Sequence, residues 1–202
     1  MIFYPLAVLL TFWQHIQPVD QWLITHINQN WSSPFFDTVV LYSRETYTWI
    51  PLYVFLLFVS ILNFGTRAWY WVIGGALTAA LSDLISSQVI KEHILRVRPC
   101  QDPTVYPLLR IFINYCPTSS SFTSSHATTY FAQAVFFFLT LRPVIGRWAW
   151  LFFAWAALIS YSQIYAGVHY PFDILCGAIM GCGIGFLVAK LFHRQIGQLT
   201  VS

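Results

Sequence analysis

The run TYTWIPLYVFLLFVSILNFGT, residues Thr46–Thr66, carries no charged side chain. As a helix it is long enough to cross the hydrocarbon of a bilayer. Residues 68–90 repeat the pattern with Asp83 as their only charge, and Ile111–Leu141 and Trp148–Phe172 have none. Ile174–Ala189 is shorter and ends at Lys190, whose aliphatic stem can snorkel to the interface. Five spans follow.

Composition agrees with that reading. Of 202 residues 57% are hydrophobic and 19% aromatic, whereas 8% are charged. A soluble domain carries about 25% charge, so this chain cannot cover a water-facing surface. A soluble enzyme, a nucleic-acid binder and a low-complexity segment are excluded. The net charge of +3, with no run of Lys or Arg, offers nucleic acid nothing to bind. The fold class is all-α, a polytopic membrane helical bundle of about five transmembrane helices preceded by interfacial helices.

Residues 1–45 are read as that interfacial unit, with a sixth span as the rival. Ile2–Trp13 is apolar but short and interrupted by Pro5, and it lacks the basic flank of a signal peptide. Asp20 is placed to cap a short helix carrying Trp22, Leu23, Ile24 and Ile27. Ser33-Pro34 reads as the cap and first turn of another helix reaching about Tyr42. The transmembrane domain is then 46–192, and 193–202 is a cytoplasmic tail.

One face of the bundle holds Arg67, Arg142, Arg147, Lys190 and Arg194; the other holds Arg44, Lys91, Arg96, Arg98 and Arg110. Counting basic residues alone gives a tie. It breaks if several residues of the second set serve a site, which leaves the first face cytoplasmic and Lys91–Ser125 with Ala166–Phe172 outside.

The polar residues of that outer face form three clusters. In Lys91-Glu-His-Ile-Leu-Arg-Val-Arg98-Pro99, a continuing helix would turn about 700° between Lys91 and Arg98, placing both on one face about 10 Å apart. Arg96 points elsewhere by the same arithmetic, and Pro99 ends the element. The second cluster, Thr123-Ser124-Ser125-His126, opens a helix whose unpaired N–H groups suit an anion. The third runs from Ser162-Gln163 to His169, Pro171 and Asp173. Asp173, in the first turn after Pro171, can take a proton from one nitrogen of His169 and leave the other free to attack. Two spans separate the second and third clusters, so all three return to one face.

These residues resemble the membrane phosphatidic acid phosphatase type 2 superfamily, whose pattern is a Lys followed six residues later by Arg-Pro, then Pro-Ser-Gly-His, then Ser-Arg with a His and an Asp beyond. The resemblance covers roughly 45–192. It implies His169 as nucleophile, oriented by Asp173, and His126 as proton donor to the leaving group. It also implies Lys91, Arg98, Ser124 and the amides near Ser125 as phosphate ligands, with no metal or cofactor. Fixed cations and oriented N–H groups suit the spread charge of a phosphoryl transition state. Thr123 and Ser125 replace Pro and Gly. Gln163 replaces the motif Arg, losing a charged fork while keeping one hydrogen bond; either Arg96 or Arg110 substitutes, or the enzyme is slower or tuned to another head group.

The resemblance implies an integral-membrane lipid phosphatase acting on undecaprenyl diphosphate, which is preferred, or on phosphatidylglycerophosphate, phosphatidic acid or lipid A. Its partners would be that lipid phosphate and the membrane itself, at the outer face of the inner membrane. A lipid phosphotransferase using the same His, or a degenerate protein that binds lipid phosphate without turnover, are the rival readings. Asp83 either supports Lys91 from behind or bonds a Ser or Tyr of a neighbouring helix. Cys100 and Cys116 either close about 17 residues in a disulfide contributing on the order of 3 kcal/mol, or stay free as thiols. Cys176 and Cys182 pack within the last span, and Gly74, Gly75, Gly177, Gly181, Gly183 and Gly185 allow close helix approach.

Overall fold

The computed structural model describes residues 3–111 and 113–200. Ile2, where the expected N-terminal run begins, and Val201 and Ser202, the end of the expected tail, lie outside the described residues. Among the described residues seven α-helices follow one another: α1 Phe3–Asn30, α2 Pro34–Arg44, α3 Ile50–Phe64, α4 Arg67–Leu84, α5 Ser125–Ile145, α6 Leu151–Tyr165 and α7 Pro171–Ile196. No strand occurs among the described residues.

Among the described residues four segments are long and apolar enough to cross a membrane: Thr46–Phe64, Arg67–Ile90, Ser125–Tyr165 and Pro171–Ile196. The third contains two helices that fold back on each other. Gly146, in the left-handed region at φ +58°, makes the corner. Ring contacts then pair Phe138 with Trp150, Phe137 with Phe152 and Tyr130 with Trp155, an antiparallel order. Phe55, Phe58 and Leu62 on α3, and Ile179, Phe186 and Leu187 on α7, point outward. Such a surface is ordinary only where lipid is the solvent.

Helix α5 is the hub, packed against α4, α6 and α7. Its contact with α7 is close because Gly177, Gly181 and Gly185 lie one turn apart along one face. A Cβ on Gly181 would run into the carbonyl of Thr128, and one on Gly185 into that of Ala132. On Gly177 it would sit 2.8 Å from the Ser124 carbonyl oxygen. Gly183, expected in the same group, has open space around it. On the other side Gly74 admits the ring of Phe136, which belongs to a core shared with Trp71, Phe137, Trp155 and Ile159.

Helix starts follow the local chemistry. Ser33 caps α2, accepting from the N–H of Phe36, with Pro34 in the first turn. Pro171 opens α7, and the Asp173 carboxylate accepts the N–H of Tyr170 at 3.0 Å. Two expectations are corrected. Asp20 does not cap a short helix: α1 runs unbroken past it to Asn30. Lys91–Arg98 is not helical either. Beyond Leu84 the chain makes a π-helical turn, Ile85–Ile90, then leaves the helix well before Pro99. A loosened turn cannot keep the 100° register on which the expected Lys91–Arg98 spacing depended.

Between α4 and α5 lies the longest non-helical stretch, tied by a disulfide between Cys100 and Cys116, whose Cα atoms are 6.1 Å apart. Cys176 and Cys182 are free thiols. Helix α1 lays Asp20, Ile24 and Asn28, all buried, along one face. Asn28 bonds the carbonyls of Tyr165 and Arg110 and accepts from the Arg110 N–H, closing the end of α6 against the loop.

Candidate active site

The end of α4, the starts of α5 and α7 and the end of α6 meet at one end of the bundle. Ser87 Oγ lies 2.9 Å from Ser125 Oγ, and the Ser124 N–H donates to the Asp173 carbonyl at 3.3 Å. The N–H groups of Val168 and His169 both donate to the Gln163 carbonyl, fixing the turn that presents His169.

His169 is buried. Its Nε2 is 3.1 Å from Nη1 of Arg98, and its Nδ1 faces Asp173 Oδ2 at 3.7 Å. The ring therefore offers Nε2 to the cation side and Nδ1 to the carboxylate. Burial pushes His169 down to about 3, so the imidazole is neutral at ordinary pH and keeps a lone pair. Arg98 is held by the carbonyls of Ser119, Val168 and Ser120 and by Ser119 Oγ. Burial brings it down to about 10, and it stays charged. Burial, then the neighbouring charge of Arg98, pushes Lys91 down to about 8; Asp83 and Asp173 pull the other way. Lys91 thus feels the charge of Arg98 although no helix joins them.

Asp173 is fully buried and held by three hydrogen bonds. Oδ1 accepts from Arg96 Nη1 at 2.6 Å, and Oδ2 accepts from Ser121 Oγ at 2.5 Å and from the Tyr170 N–H. Arg96 also pairs with Asp20 of α1 at 2.7 Å, donates to Gln17, and lies 4.6 Å and 4.2 Å from the ring centroids of Trp13 and Tyr170. Its guanidinium joins the N-terminal helix to the carboxylate behind His169.

Ser124 caps α5, accepting from the Ala127 N–H at 3.4 Å, and Ser125 begins the helix. His126 lines a cleft of about 510 Å³ whose walls include Thr46, Tyr53, Asp83, Ser125 and Tyr130. The charges felt at its ring come from Arg44, Lys91, Arg98 and Asp83. Asp83 accepts a hydrogen bond from Ser87 at 3.0 Å, four residues along the same segment and not on a neighbouring helix as expected. Among the described residues no three His, Cys, Asp or Glu side chains gather as for a metal.

The two arginines expected to replace the motif Arg are committed to carboxylates. Arg110 forks onto Asp37 at 2.6 and 2.7 Å and bonds Tyr165, pinning α2 to α6. Arg96 serves Asp173 and Asp20. Gln163 is buried, and its amide nitrogen has no hydrogen-bond partner. Sequence reasoning missed Asp20, Gln17 and Ser121. Asp20 had a signal, since it is the only charge before Asp37.

The chain belongs to the PAP2 superfamily, whose model matches residues 69–196, and is a multi-pass membrane phosphatase. It is 28% identical over 189 residues to the lipid A 4'-phosphatase of Bacteroides thetaiotaomicron, covering 92% of this chain and 82% of that one. It is 32% identical over 156 residues to the undecaprenyl-diphosphatase of Sulfolobus acidocaldarius, 74% and 66% of the two chains. The fold matches the crystal structure of a PAP2-type phosphatidylglycerolphosphate phosphatase from Bacillus subtilis with a TM-score of 0.68, at 22% identity over 95% of this chain and 96% of that one.

Proposed function

We propose that this protein hydrolyses a phosphomonoester or diphosphate on a lipid head group through a phosphohistidine at His169. The observation that carries the reading is the His169 ring itself, with Nε2 beside Arg98 and Nδ1 toward a carboxylate already held by Arg96, Ser121 and the Tyr170 N–H.

In the first half-reaction Nε2 attacks phosphorus, the bond from phosphorus to the lipid oxygen breaks, and His126 gives that oxygen a proton. In the second, water attacks the phosphohistidine, His126 takes a proton from the water, the N–P bond breaks and inorganic phosphate leaves. Lys91, Arg98, Ser124 and the first amides of α5 hold the phosphoryl oxygens as charge spreads over them. Asp173 stabilises the imidazolium character that grows on His169 during attack; its 3.7 Å approach shortens in the loaded complex, as such contacts do.

A lipid substrate is favoured by the surroundings of His126. Its cleft shares Tyr53 and Gln133 with an apolar cavity of about 340 Å³ between α3, α4 and α5, which suits a leaving group with acyl or prenyl chains. The alignment with a lipid A 4'-phosphatase over nearly the whole chain makes a sugar-linked phosphomonoester the first substrate to test, beside undecaprenyl diphosphate.

The site faces outward from the inner membrane in this reading, and residues 193–202 are a cytoplasmic tail. Arg96 and Arg110 are bound to internal carboxylates, which leaves Arg67, Arg142, Arg147, Lys190 and Arg194 to set topology. Helices α1 and α2 form the N-terminal unit lying along the interface.

The test is phosphate release from a panel of lipid phosphates by the purified protein in detergent with chelator present. Release by the wild type and loss of at least about 1,000-fold in His169→Ala are expected. Equal inactivity of both proteins on every lipid tried contradicts the reading.

A further inference from the structure

The family's third motif places an arginine where this chain has Gln163, and the two arginines first expected to replace it are engaged elsewhere. The remaining basic residue at this end is Arg44, the last residue of α2.

Two anchors fix where it sits. Immediately before it, Ser43 Oγ lies 2.5 Å from Ser162 Oγ, so the end of α2 is pinned to α6 at the residue preceding Gln163. Two residues after it, Thr46 lines the His126 cleft. The Trp49 indole N–H closes the intervening turn on the Ser43 carbonyl at 2.9 Å, and the Asp37–Arg110 fork holds the helix from its other end. Arg44 therefore stands between the position that lost its guanidinium and the histidine at the leaving-group side.

Its electrostatics fit an anion site. The Arg44 charge acts on both Arg98 and His126, and burial lowers its own proton affinity, opposed by neighbouring Glu45. Its Nε is buried without a hydrogen-bond partner. No carboxylate forms an ion pair with it among the described residues. Arg44 and Lys91 thus each act on Arg98 with like charge, only partly offset by Asp173, an arrangement that a bound phosphoryl group relieves.

We propose that Arg44 is the phosphate-binding arginine of this site, delivered from the N-terminal unit in place of the motif arginine replaced by Gln163. The fork binds two phosphoryl oxygens on the His126 side and stabilises charge in the transition state. This deepens the phosphatase reading and rests on it. It also gives residues 34–44 a role in the chemistry.

The test compares full-length wild type with Arg44→Gln, Arg44→Lys, Gln163→Arg and the double variant Arg44→Gln/Gln163→Arg. Lipid phosphate turnover and the affinity for orthovanadate are measured, and thermal unfolding reports folding. Arg44→Gln is expected to lower kcat by about 100-fold and vanadate affinity by about tenfold. Arg44→Lys should fall between it and wild type, and the double variant should regain at least about tenfold over Arg44→Gln. Vanadate affinity and turnover of Arg44→Gln within about threefold of wild type overturn the proposal, and with His169→Ala inactive they do so while leaving the phosphatase reading intact. If Arg44→Gln fails to fold, Arg44→Lys decides by the same two measurements: unchanged values of both overturn the assignment and a shared loss supports it. If the wild type releases no phosphate from any lipid, the function reading fails instead, and vanadate affinity alone decides Arg44.

Discussion

Asp173 accepts hydrogen bonds from Arg96, Ser121 and the Tyr170 N–H while facing His169. The orientation of the nucleophile therefore depends on Arg96, which touches no part of the phosphate site. Replacing Arg96 by Gln leaves Asp20 and Asp173 as buried charges without their partner, a loss of about 3 kcal/mol or more. The expected outcome is a lower unfolding temperature and a fall in kcat with KM little changed, read by differential scanning fluorimetry and steady-state kinetics. Lys91 gives a pH prediction. With its proton affinity brought down to about 8, its charge is present below that pH and lost above it. The kcat/KM of the wild type should decline as pH rises through about 8, and Lys91→Arg should move that limb upward. His169, neutral above about 3, sets no acid limb in the working range. Of these residues, the motif members were readable in sequence because their spacing survives any packing. Gln17 and Ser121 were not, because their partners lie far away along the chain, and Asp20 showed only as a lone charge whose partner could not be named.

At the scale of elements, the site depends on the seam between α5 and α7. Gly177, Gly181 and Gly185 let the two helices approach until the Ser124 N–H reaches the Asp173 carbonyl. Gly181→Ala forces a methyl against the Thr128 carbonyl and should cost about 2 kcal/mol, with activity falling alongside as His126 and His169 move apart. Gly183→Ala, facing open space, should change neither stability nor turnover. Thermal unfolding and phosphate release on the pair check this. The glycine pattern was visible in sequence, but which member faced lipid was not. Four glycines spread over two turns fit more than one face until α5 is in place. The end of α4 was misread for a related reason. The run Ile85–Ile90 is mostly Ser and β-branched residues, weak helix formers that do little to resist a loosened turn.

For the whole molecule, the apolar runs announce the helices long enough to cross a bilayer, since uncharged stretches of that length have few alternatives. Sidedness in the proposed reading rests on which basic residues serve the site. If the site faces outward, a cysteine placed at exposed Gln101 should react with an impermeant maleimide on intact cells. One at exposed Arg147 should react only after permeabilisation. The reverse pattern would place the chemistry on the cytoplasmic side. What the linear chain conceals is that α1 and α2 are structural parts of the catalytic end: Asp20 reaches Asp173 through Arg96, and Arg110 locks α2 beside α6.

The most direct measurement is a rapid quench of the enzyme turning over lipid substrate carrying labelled phosphate, followed by mapping of any protein-bound label. An acid-labile, alkali-stable phosphoryl group on His169 that accumulates in wild type and is absent from His169→Ala is the outcome this structure predicts. Phosphate release continuing at the wild-type rate in His169→Ala, with no label at that position, would contradict it.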